Sequence, residues 1–496
     1  MKSKMLKMCV FLTFLSSLAA CRDKQTGTAL ADVKKELKKP NILFILVDDL
    51  GKEWISGYGA EDIETPNIDA LAKSGISFNN VYSMPQCTPS RLTLLTGQYP
   101  FRHGWVNHWD VPRWGGGAHY DERVNPSLGA EMKKAGYATC IAGKWQIDDF
   151  RVEPDAMAKS GFDQYCMWTG GEGGNLEISQ ERYQNPYIYK DGESKTYENR
   201  FGPDIFRDFI IDFMKENKDK DKPMFIYYPM VLTHTPFVDT PDETADDNLG
   251  KHKAMVRYTD KITGQLMSAL KKENLQDNTI VVWTTDNGTT RAISGNYRGR
   301  MVRGGKALTS ENGICEPFIV SWPGHVSSNK ISNALIDFTD IFPTFLDLAG
   351  VAPKKEWPVG TTKEHIDGYS FKNVLLDKAE RSDREWALGM GGQNNARLTK
   401  DGVKNQHEFR DRVLRNERYK LYIGPDRKPE KFFDLEADPY EENNILDSLT
   451  TVERKNNFNK LDGVIKGFPI KDNNPKYIPN PAQPWDVEIT PEEDTK

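Results

Sequence analysis

Histidine, cysteine and clustered basic residues are scarce in this chain of 496 residues. Its 8 histidines do not favour the centre of a multi-zinc phosphatase, and its 6 cysteines argue against a disulfide scaffold. The 66 Lys and Arg stand against 72 Asp and Glu, which gives a net charge of −6 without a long basic run. A nucleic-acid-binding protein needs a clustered positive patch, and we therefore expect no nucleic-acid partner.

An apolar stretch at the N-terminus is too short to cross a bilayer as a helix. It runs from Cys9 to Ala19 after three lysines, a pattern typical of a secretory signal. Its end, Leu18-Ala19-Ala20-Cys21, resembles a bacterial lipobox, in which the cysteine is lipidated; an ordinary cleaved signal is the alternative. We predict a lipoprotein signal peptide over residues 1–20 and a flexible tether over 21–39. The protein would then be periplasmic or on the outer membrane, attached to the membrane only through lipid on Cys21.

From residue 40 onwards, continuous apolar runs alternate with helical patterns. Such runs are typical of strands that are buried on both faces of a parallel sheet. The runs occupy residues 42–47, 224–228, 279–284 and 318–321, and the helical patterns occupy 66–74, 127–135, 207–215, 253–271 and 337–349. The alternation predicts an α/β catalytic domain over residues 40–350, with a large, mainly parallel sheet sandwiched by helices.

After Gly350 the elements become shorter and turns become more frequent. Residues 413–423 and 431–435 predict paired strands, joined by a turn at Gly424-Pro425-Asp426. We predict a smaller C-terminal α+β subdomain over residues 351–475 that carries an antiparallel sheet. Residues 476–496 are rich in Pro, Asn, Asp and Glu, which predicts a polar tail.

Acidic and amide side chains follow two of the predicted strands. Asp48 and Asp49 come after the run 42–47, and Asp286 and Asn287 come after the run 279–284. Ligands of parallel sheets bind beyond the carboxyl ends of the strands, and converging acids need a cation between them. Carboxylate and amide oxygens suit Ca²⁺ or Mg²⁺ better than zinc. For either pair taken alone, a turn capped by Asp or Asn is the simpler explanation.

The stretch Cys87-Thr88-Pro89-Ser90-Arg91, followed by Thr96-Gly97, resembles the signature of the type I sulfatases, in which the cysteine is oxidised to formylglycine. A buried cysteine before a helix start would explain this stretch alone. The resemblance continues in order, however, over roughly residues 40–446. Its further matches lie at residues 48–51, 143–145, 234–237, 285–288, 304–306, 311–314, 322–324, 418–421, 433–435 and 438–439.

The resemblance implies an alkaline phosphatase-like fold and the hydrolysis of sulfate esters. A maturase would convert Cys87 to formylglycine, and one hydroxyl of its hydrate would attack sulfur. One Ca²⁺ per chain would be bound by Asp48, Asp49, Asp286, Asn287 and the modified residue 87.

Four further residues receive roles from the same resemblance. Arg91 lies one helical turn beyond Cys87 and would contact the hydrate. Lys144 and Lys306 would bind the sulfate oxygens. His234 would protonate the leaving oxygen.

The sequence departs from the family pattern at two places. Gln146 stands where the family usually has a histidine that takes a proton from the hydrate, and a glutamine cannot do so at neutral pH. We expect a substitute base, with Asp148, Asp149 and His234 as candidates. Cys315 stands where relatives more often have an arginine. With Cys140 and Cys166, it can form at most one disulfide, and the spacing of the three fits no zinc site.

Substrate specificity is predicted to come from loops around the pocket. An aromatic and basic segment supplies the candidates Trp105, His108, Trp109, Arg113 and Trp114, which suit a sugar ring and its hydroxyls. Packing of these tryptophans inside the protein is an equal alternative. Arg298 and Arg300 could recognise a uronate or a second sulfate, although a solvated basic loop is the simpler explanation. The sequence thus predicts a sulfated saccharide as the substrate.

Two other functions remain open at this point. A phosphodiesterase or phosphonate hydrolase of the same superfamily could use the same formylglycine chemistry. A catalytically impaired relative that binds glycans at the cell surface is the other alternative, and Gln146 is its motivation.

Overall fold

The computed structural model describes residues 39–106, 119–168, 182–391, 397–399, 402–404 and 411–478. The α-helices are α1 (Pro66–Lys73), α2 (Cys87–Thr96), α3 (Pro100–His103), α4 (Leu128–Lys134), α5 (Ala156–Lys159), α6 (Gly202–Asn217), α7 (Asn248–Lys272), α8 (Glu311–Ile314), α9 (Ile341–Leu348), α10 (Lys372–Leu375) and α11 (Val452–Lys466). None of the helices in these ranges is long and apolar enough to cross a membrane.

Twenty strands accompany these helices in the described ranges. They are β1 (Asn41–Val47), β2 (Ile76–Tyr82), β3 (Ala138–Lys144), β4 (Gln164–Trp168), β5 (Tyr187–Lys190), β6 (Glu193–Thr196), β7 (Met224–Pro229), β8 (Thr279–Thr285), β9 (Ser294–Tyr297), β10 (Arg300–Arg303), β11 (Phe318–Ser321), β12 (Lys330–Asp337), β13 (Glu356–Val359), β14 (Thr362–His365), β15 (Ala387–Met390), β16 (Arg397–Thr399), β17 (Gly402–Lys404), β18 (Arg412–Arg415), β19 (Tyr419–Ile423) and β20 (Pro429–Asp434).

Ten strands form one large sheet in the order β12-β2-β11-β8-β1-β7-β3-β4-β5-β6. Its centre is parallel: β1 pairs with β7 and β8, and β3 pairs with β7 and β4. Strand β11 runs antiparallel to both of its neighbours, β2 and β8. Strand β5 likewise runs antiparallel to its neighbours β4 and β6. The prediction of a mainly parallel sheet is therefore confirmed, with two reversed strands, of which β11 has an apolar run that could not be distinguished from the others.

Alternate residues of β1 enter the two hydrophobic cores on opposite faces of this sheet. Ile42, Phe44 and Leu46 join the core that includes residues of α2, α4 and α9. Leu43, Ile45 and Val47 join the core that includes residues of α1, α6 and α7. A strand covered on both faces has no side that tolerates polar residues, which explains its unbroken apolar run.

A four-stranded antiparallel sheet, ordered β15-β18-β19-β20, forms the predicted C-terminal subdomain. The expected single strand over 413–423 is wrong, because Asn416 interrupts it: its Oδ1 accepts hydrogen bonds from the backbone N–H groups of Arg418 and Tyr419. The predicted helix over 337–349 begins as a 3₁₀ turn at Phe338–Asp340 and continues as α9 from Ile341. Cys140, Cys166 and Cys315 are free buried thiols.

Candidate active site

The carboxyl ends of β1 and β8 hold four of the predicted metal ligands. Asp48 and Asp49 follow β1, Asp286 and Asn287 follow β8, and the two strands are neighbours. The backbone N–H of Asp49 donates to Asp286 Oδ1 at 3.1 Å, which ties the two strand ends together. All four side chains are at most 2% exposed. The structure therefore brings these residues together at the predicted edge of the sheet.

Cys87 is the first residue of α2 and lies beside these acids. Pro89 stands in the first helical turn, where an N–H would have no partner within the helix. Cys87 Sγ lies 3.5 Å from Asp48 Oδ1 and 3.7 Å from Asp49 Oδ1. Burial, and after it the charge of Asp286, raises the pKa of the thiol. An unmodified cysteine is therefore a poor nucleophile at this position.

Two lysines compensate the charge of the first two acids. Lys144 ends β3, and its Nζ donates to the two Asp48 oxygens at 2.8 and 3.0 Å. Lys306 Nζ donates to Asp49 Oδ2 at 2.6 Å. Burial alone would raise the pKa of Asp48, but Lys144 and the neighbouring cations hold that pKa well below its usual range. Burial would also raise the pKa of Asp49, but Lys306 and the neighbouring cations outweigh it, and the pKa of Asp49 is lowered as well.

Arg91 connects the ends of β8 and β3 from its place in α2. Its Nε and Nη2 donate to Asp286 Oδ2 at 3.1 and 2.7 Å, and its Nη1 donates to the Lys144 carbonyl at 3.0 Å. Burial, and after it the charge of Asp48, raises the pKa of Asp286 to about 6 despite this contact. The predicted role of Arg91 towards a hydrate at residue 87 stays a prediction.

His234 lies at the open side of the cluster. Its Nδ1 is 2.7 Å from the Thr235 carbonyl oxygen, which can only accept, so the ring proton belongs on Nδ1. Its Nε2 is 3.6 Å from Asp49 Oδ2. Burial, and then the charge of Lys306, lowers the pKa of His234 to about 3. Without a bound ligand the ring is therefore neutral, and its free Nε2 lies towards the cluster.

The donor atoms fit one hard divalent cation. Ligand atoms of Asp48, Asp49, Cys87 and His234 lie within 4.8 Å of one another. Asn287 donates through Nδ2 to Asp49 Oδ1 at 2.8 Å, and its Oδ1 is buried without a hydrogen-bond partner. An orphaned amide oxygen beside two carboxylates is the kind of ligand that calcium accepts. The residues present thus suit the predicted ion, with His234 as a neighbour that the predicted ligand set did not include.

A family model described as sulfatase matches residues 40–351, which is more than half of the chain. The chain belongs to the sulfatase family. A second model, described as the C-terminal part of N-sulphoglucosamine sulphohydrolase, matches residues 305–462. The second match covers the antiparallel sheet of the C-terminal region.

Curated relatives and a solved structure extend this similarity. The chain is 32% identical to human N-acetylgalactosamine-6-sulfatase over 68% of its own length and 66% of the relative's. It is 29% identical to N-acetylgalactosamine-6-O-sulfatase of Bacteroides thetaiotaomicron over 89% of this chain and 95% of that protein. The crystal structure of Ps i-CgsB in complex with k-i-k-neocarrahexaose superimposes with a TM-score of 0.68 at 25% identity, covering 86% of this chain and 93% of that one.

Gln146, the departure from the sulfatase pattern, has a left-handed backbone with φ of 61°. Its Oε1 is buried without a hydrogen-bond partner. Of the three candidate substitute bases, Asp148 accepts hydrogen bonds from Trp145 Nε1 and the Tyr120 N–H. Asp149 pairs with Arg151 at 2.6 Å. His234 is the candidate that reaches the carboxylates of the cluster.

Of the predicted substrate-binding residues in the aromatic segment, the structure describes Trp105 but not the other four. Trp105 is 0% exposed and belongs to the core on the α2 face. Its indole therefore offers no surface to a ligand, and packing, the alternative considered for it, describes its position. His108, Trp109, Arg113 and Trp114 lie outside the described residues, so their role in substrate binding stays a prediction.

Arg298 and Arg300 lie on a cleft of about 580 Å³ beside the β9–β10 hairpin. Arg300 pairs with Glu442 at 2.7 Å and stacks on Tyr440. Among the described residues that line this cleft, none is a predicted catalytic or metal-binding residue of the sulfatase site. Contact of these two arginines with a substrate stays a prediction.

Two buried residues beside the sulfatase site carried no local signal in the sequence. Glu316 accepts hydrogen bonds from Thr285 Oγ1 and Ser83 Oγ and so supports the end of β8, directly before the predicted metal ligands. Arg182 lies 3.9 Å from Asp48. Neither belongs to a recognisable motif, because each reaches the site only through the packing of distant parts of the chain.

Proposed function

We propose that this protein is a sulfuric ester hydrolase that removes sulfate from a sulfated saccharide. The observation that carries the proposal is the position of Cys87 at the start of α2, beside Asp48 and Asp49. The lysines on the two acids supply the charge that an anionic substrate needs. The names of the two curated relatives, both sulfatases of N-acetylgalactosamine, favour a sulfated sugar as the substrate.

Residue 87 acts as formylglycine in this proposal, and its hydrate carries two hydroxyls. One hydroxyl oxygen attacks sulfur, the bond from sulfur to the sugar oxygen breaks, and the alcohol leaves with a proton. Lys144 and Lys306 bind the sulfuryl oxygens, where they lower the energy of the developing charge. A calcium ion at the acid cluster would favour ionisation of the attacking hydroxyl.

The second hydroxyl removes sulfate from residue 87. As it loses its proton to a base, its oxygen forms the aldehyde double bond, the bond between C and the sulfated oxygen breaks, and the sulfate dianion departs. Water then restores the hydrate. Because Gln146 cannot accept the proton, His234 is the best-placed base: its Nε2 is unprotonated and lies near Asp49. His234 thus starts each step neutral: in the first it takes the proton of the attacking hydroxyl and passes it to the leaving oxygen, and in the second it takes the proton of the second hydroxyl.

The test is release of inorganic sulfate from a panel of sulfated saccharides by protein that has been co-expressed with a maturase. The panel begins with 6-sulfated N-acetylgalactosamine and includes an aryl sulfate and a phosphodiester. We expect turnover of at least one sulfated saccharide and none by Cys87→Ala. Faster turnover of the phosphodiester would favour the phosphohydrolase alternative, and no turnover of any ester would favour the glycan-binding relative.

The proposal extends to the position of the protein in the cell. We propose that Cys21, which lies outside the described residues, is lipidated and anchors the chain in the periplasm or at the outer membrane. Cys21→Ser should then move the protein from the membrane fraction to the soluble fraction without changing its specific activity. An unchanged distribution between the fractions would contradict the lipid anchor.

A further inference from the structure

Arg182 is a buried cation at the site to which the family signature assigns no role. Its side chain is 10% exposed, and its Nη1 lies 3.9 Å from Asp48 Oδ2. The guanidinium carbon lies over the ring of Trp168 at the end of β4, 3.9 Å from the ring centroid. Its Nε and Nη1 are buried without hydrogen-bond partners among the described residues. The side chain is therefore held in place by packing, with donors that nothing in the described protein uses.

The backbone at Arg182 is fixed to the loop that carries the candidate general acid. The hydroxyl of the next residue, Tyr183, donates to the carbonyl oxygens of Val231 and His234. The N–H of Gly202 donates to the Tyr183 carbonyl at 2.7 Å. These hydrogen bonds hold Arg182 and His234 in fixed relative positions, which a binding residue requires.

Asp48 does not account for the presence of Arg182. Both oxygens of Asp48 already accept hydrogen bonds from Lys144, and Arg91 lies 3.5 Å away. A buried cation whose donors are unused destabilises a protein, so its presence here calls for another partner.

The charges of the cluster indicate that this partner is an anion. Three carboxylates, those of Asp48, Asp49 and Asp286, stand against four cations, namely Arg91, Lys144, Arg182 and Lys306. A divalent cation at the site would increase the positive excess further. Such an excess in a buried site favours a negatively charged ligand.

We propose that Arg182 binds an oxygen of the sulfo group that is transferred, next to Lys144. Both cations approach the same oxygen of Asp48, Lys144 at 2.8 Å and Arg182 at 3.9 Å, so a group bound by one lies within reach of the other. The contact with Trp168 holds the guanidinium beside the cluster, where its unpaired N–H groups are available to an anion. This inference rests on the proposed sulfatase activity and adds a contact to the sulfo group.

The experiment compares Arg182→Met, Arg182→Lys and the control Arg257→Met. Methionine retains packing against Trp168 but has no charge, and Arg257 lies in α7, where it pairs with Glu243 instead of a site residue. A charge-assisted hydrogen bond is worth about 10-fold to 100-fold in binding. We therefore expect Arg182→Met to lower kcat/KM by about that factor, on an aryl sulfate as well as on the sulfated saccharide.

Two further readouts separate binding from folding. The inhibition constant of inorganic sulfate should rise by a similar factor in Arg182→Met, should rise less in Arg182→Lys and should not change in Arg257→Met. The melting temperature of Arg182→Met should not fall, because Nε and Nη1 of the arginine make no hydrogen bond within the described part of the chain that the variant would lose. A purely structural residue would give the opposite pattern, with a lower melting temperature and an unchanged inhibition constant.

Unchanged kcat/KM and unchanged sulfate inhibition in Arg182→Met would overturn the inference. A loss confined to saccharides that carry a second acid would also overturn it, because Arg182 would then bind that second group. If the unaltered protein hydrolyses no sulfate ester, the proposed function fails. Calorimetric binding of inorganic sulfate to the unaltered protein and to Arg182→Met would still decide the question of Arg182.

Discussion

Calcium should raise the thermal stability of the protein through a site that includes Asn287. The Asn287 Oδ1 is buried without a partner, so the folded chain already holds an oxygen ligand in place beside Asp49. A ligand present at 100 times its Kd stabilises the folded state by about 2.7 kcal/mol. Because the entropy of unfolding grows with chain length, this corresponds to a rise in Tm of about 3 °C for a chain of this size.

Asn287→Ala removes that oxygen and should remove most of the stabilisation. If the Kd for calcium rises by about 100-fold, the upper end of what altered metal surroundings cause, the same calcium concentration contributes only about 0.4 kcal/mol. The assay is a thermal melt after chelation and titration of calcium, with protein made with and without the maturase. Asn296→Ala is the control, since its amide contacts Asp62. No calcium-dependent shift in the unaltered protein, or an equal shift in Asn287→Ala, would refute the reasoning.

Three further predictions concern single side chains. Gln146→His should change turnover by less than about threefold, since a general base that is already present supplies the 10²–10⁴-fold effect of that step. Burial lowers the pKa of His252 to about 3. As the pH drops below about 6.5, this group should therefore lower the free energy of unfolding by about 1.4 kcal/mol per pH unit. His252→Phe should remove this contribution, which corresponds to one proton, from the pH dependence of stability. Lys420→Met should destabilise by about 3 kcal/mol, because Glu311 and Glu441 lose their shared buried cation.

Each of these has a direct check. Rapid-mixing kinetics with Gln146→His would contradict His234 as the substitute base if the unaltered protein shows a burst of alcohol that the variant abolishes. The sign for His252 follows from the unfolded state, which binds the extra proton between about pH 3 and 6.5; an unchanged slope in urea melts at several pH values would exclude it. For Lys420, denaturant unfolding of Lys460→Met, an exposed lysine paired with Glu385, is the matched control.

The sequence predicted the parts of the fold and site that depend on local pattern. The run 42–47 matches β1 to within one residue, because a strand covered on both faces must be apolar throughout. The acids after it lie at the site because the carboxyl ends of neighbouring parallel strands meet. The direction of β11 was beyond such reasoning, since an apolar run carries no information about which way its neighbours run.

The remaining parts of the site depend on contacts between distant segments. Arg182 reaches Asp48 only because β4 lies beside β3 in the sheet and because Tyr183 is fixed to the loop of His234. No spacing in the sequence encodes that approach. The burial of Trp105 is a similar case: the same residue type suits a sugar-binding surface and a core, and only packing distinguishes the two.

The central claim is that residue 87 attacks sulfur and then releases sulfate through its second hydroxyl. Cys87→Ser provides one hydroxyl for the attack but none for the release, so the reaction should stop after the first step. The most direct measurement is the mass of this variant after incubation with a saccharide that the matured enzyme desulfates. We predict the addition of one sulfo group on the peptide that contains residue 87. An unmodified mass in a variant that still binds the substrate, or continued turnover by this variant, would contradict the account.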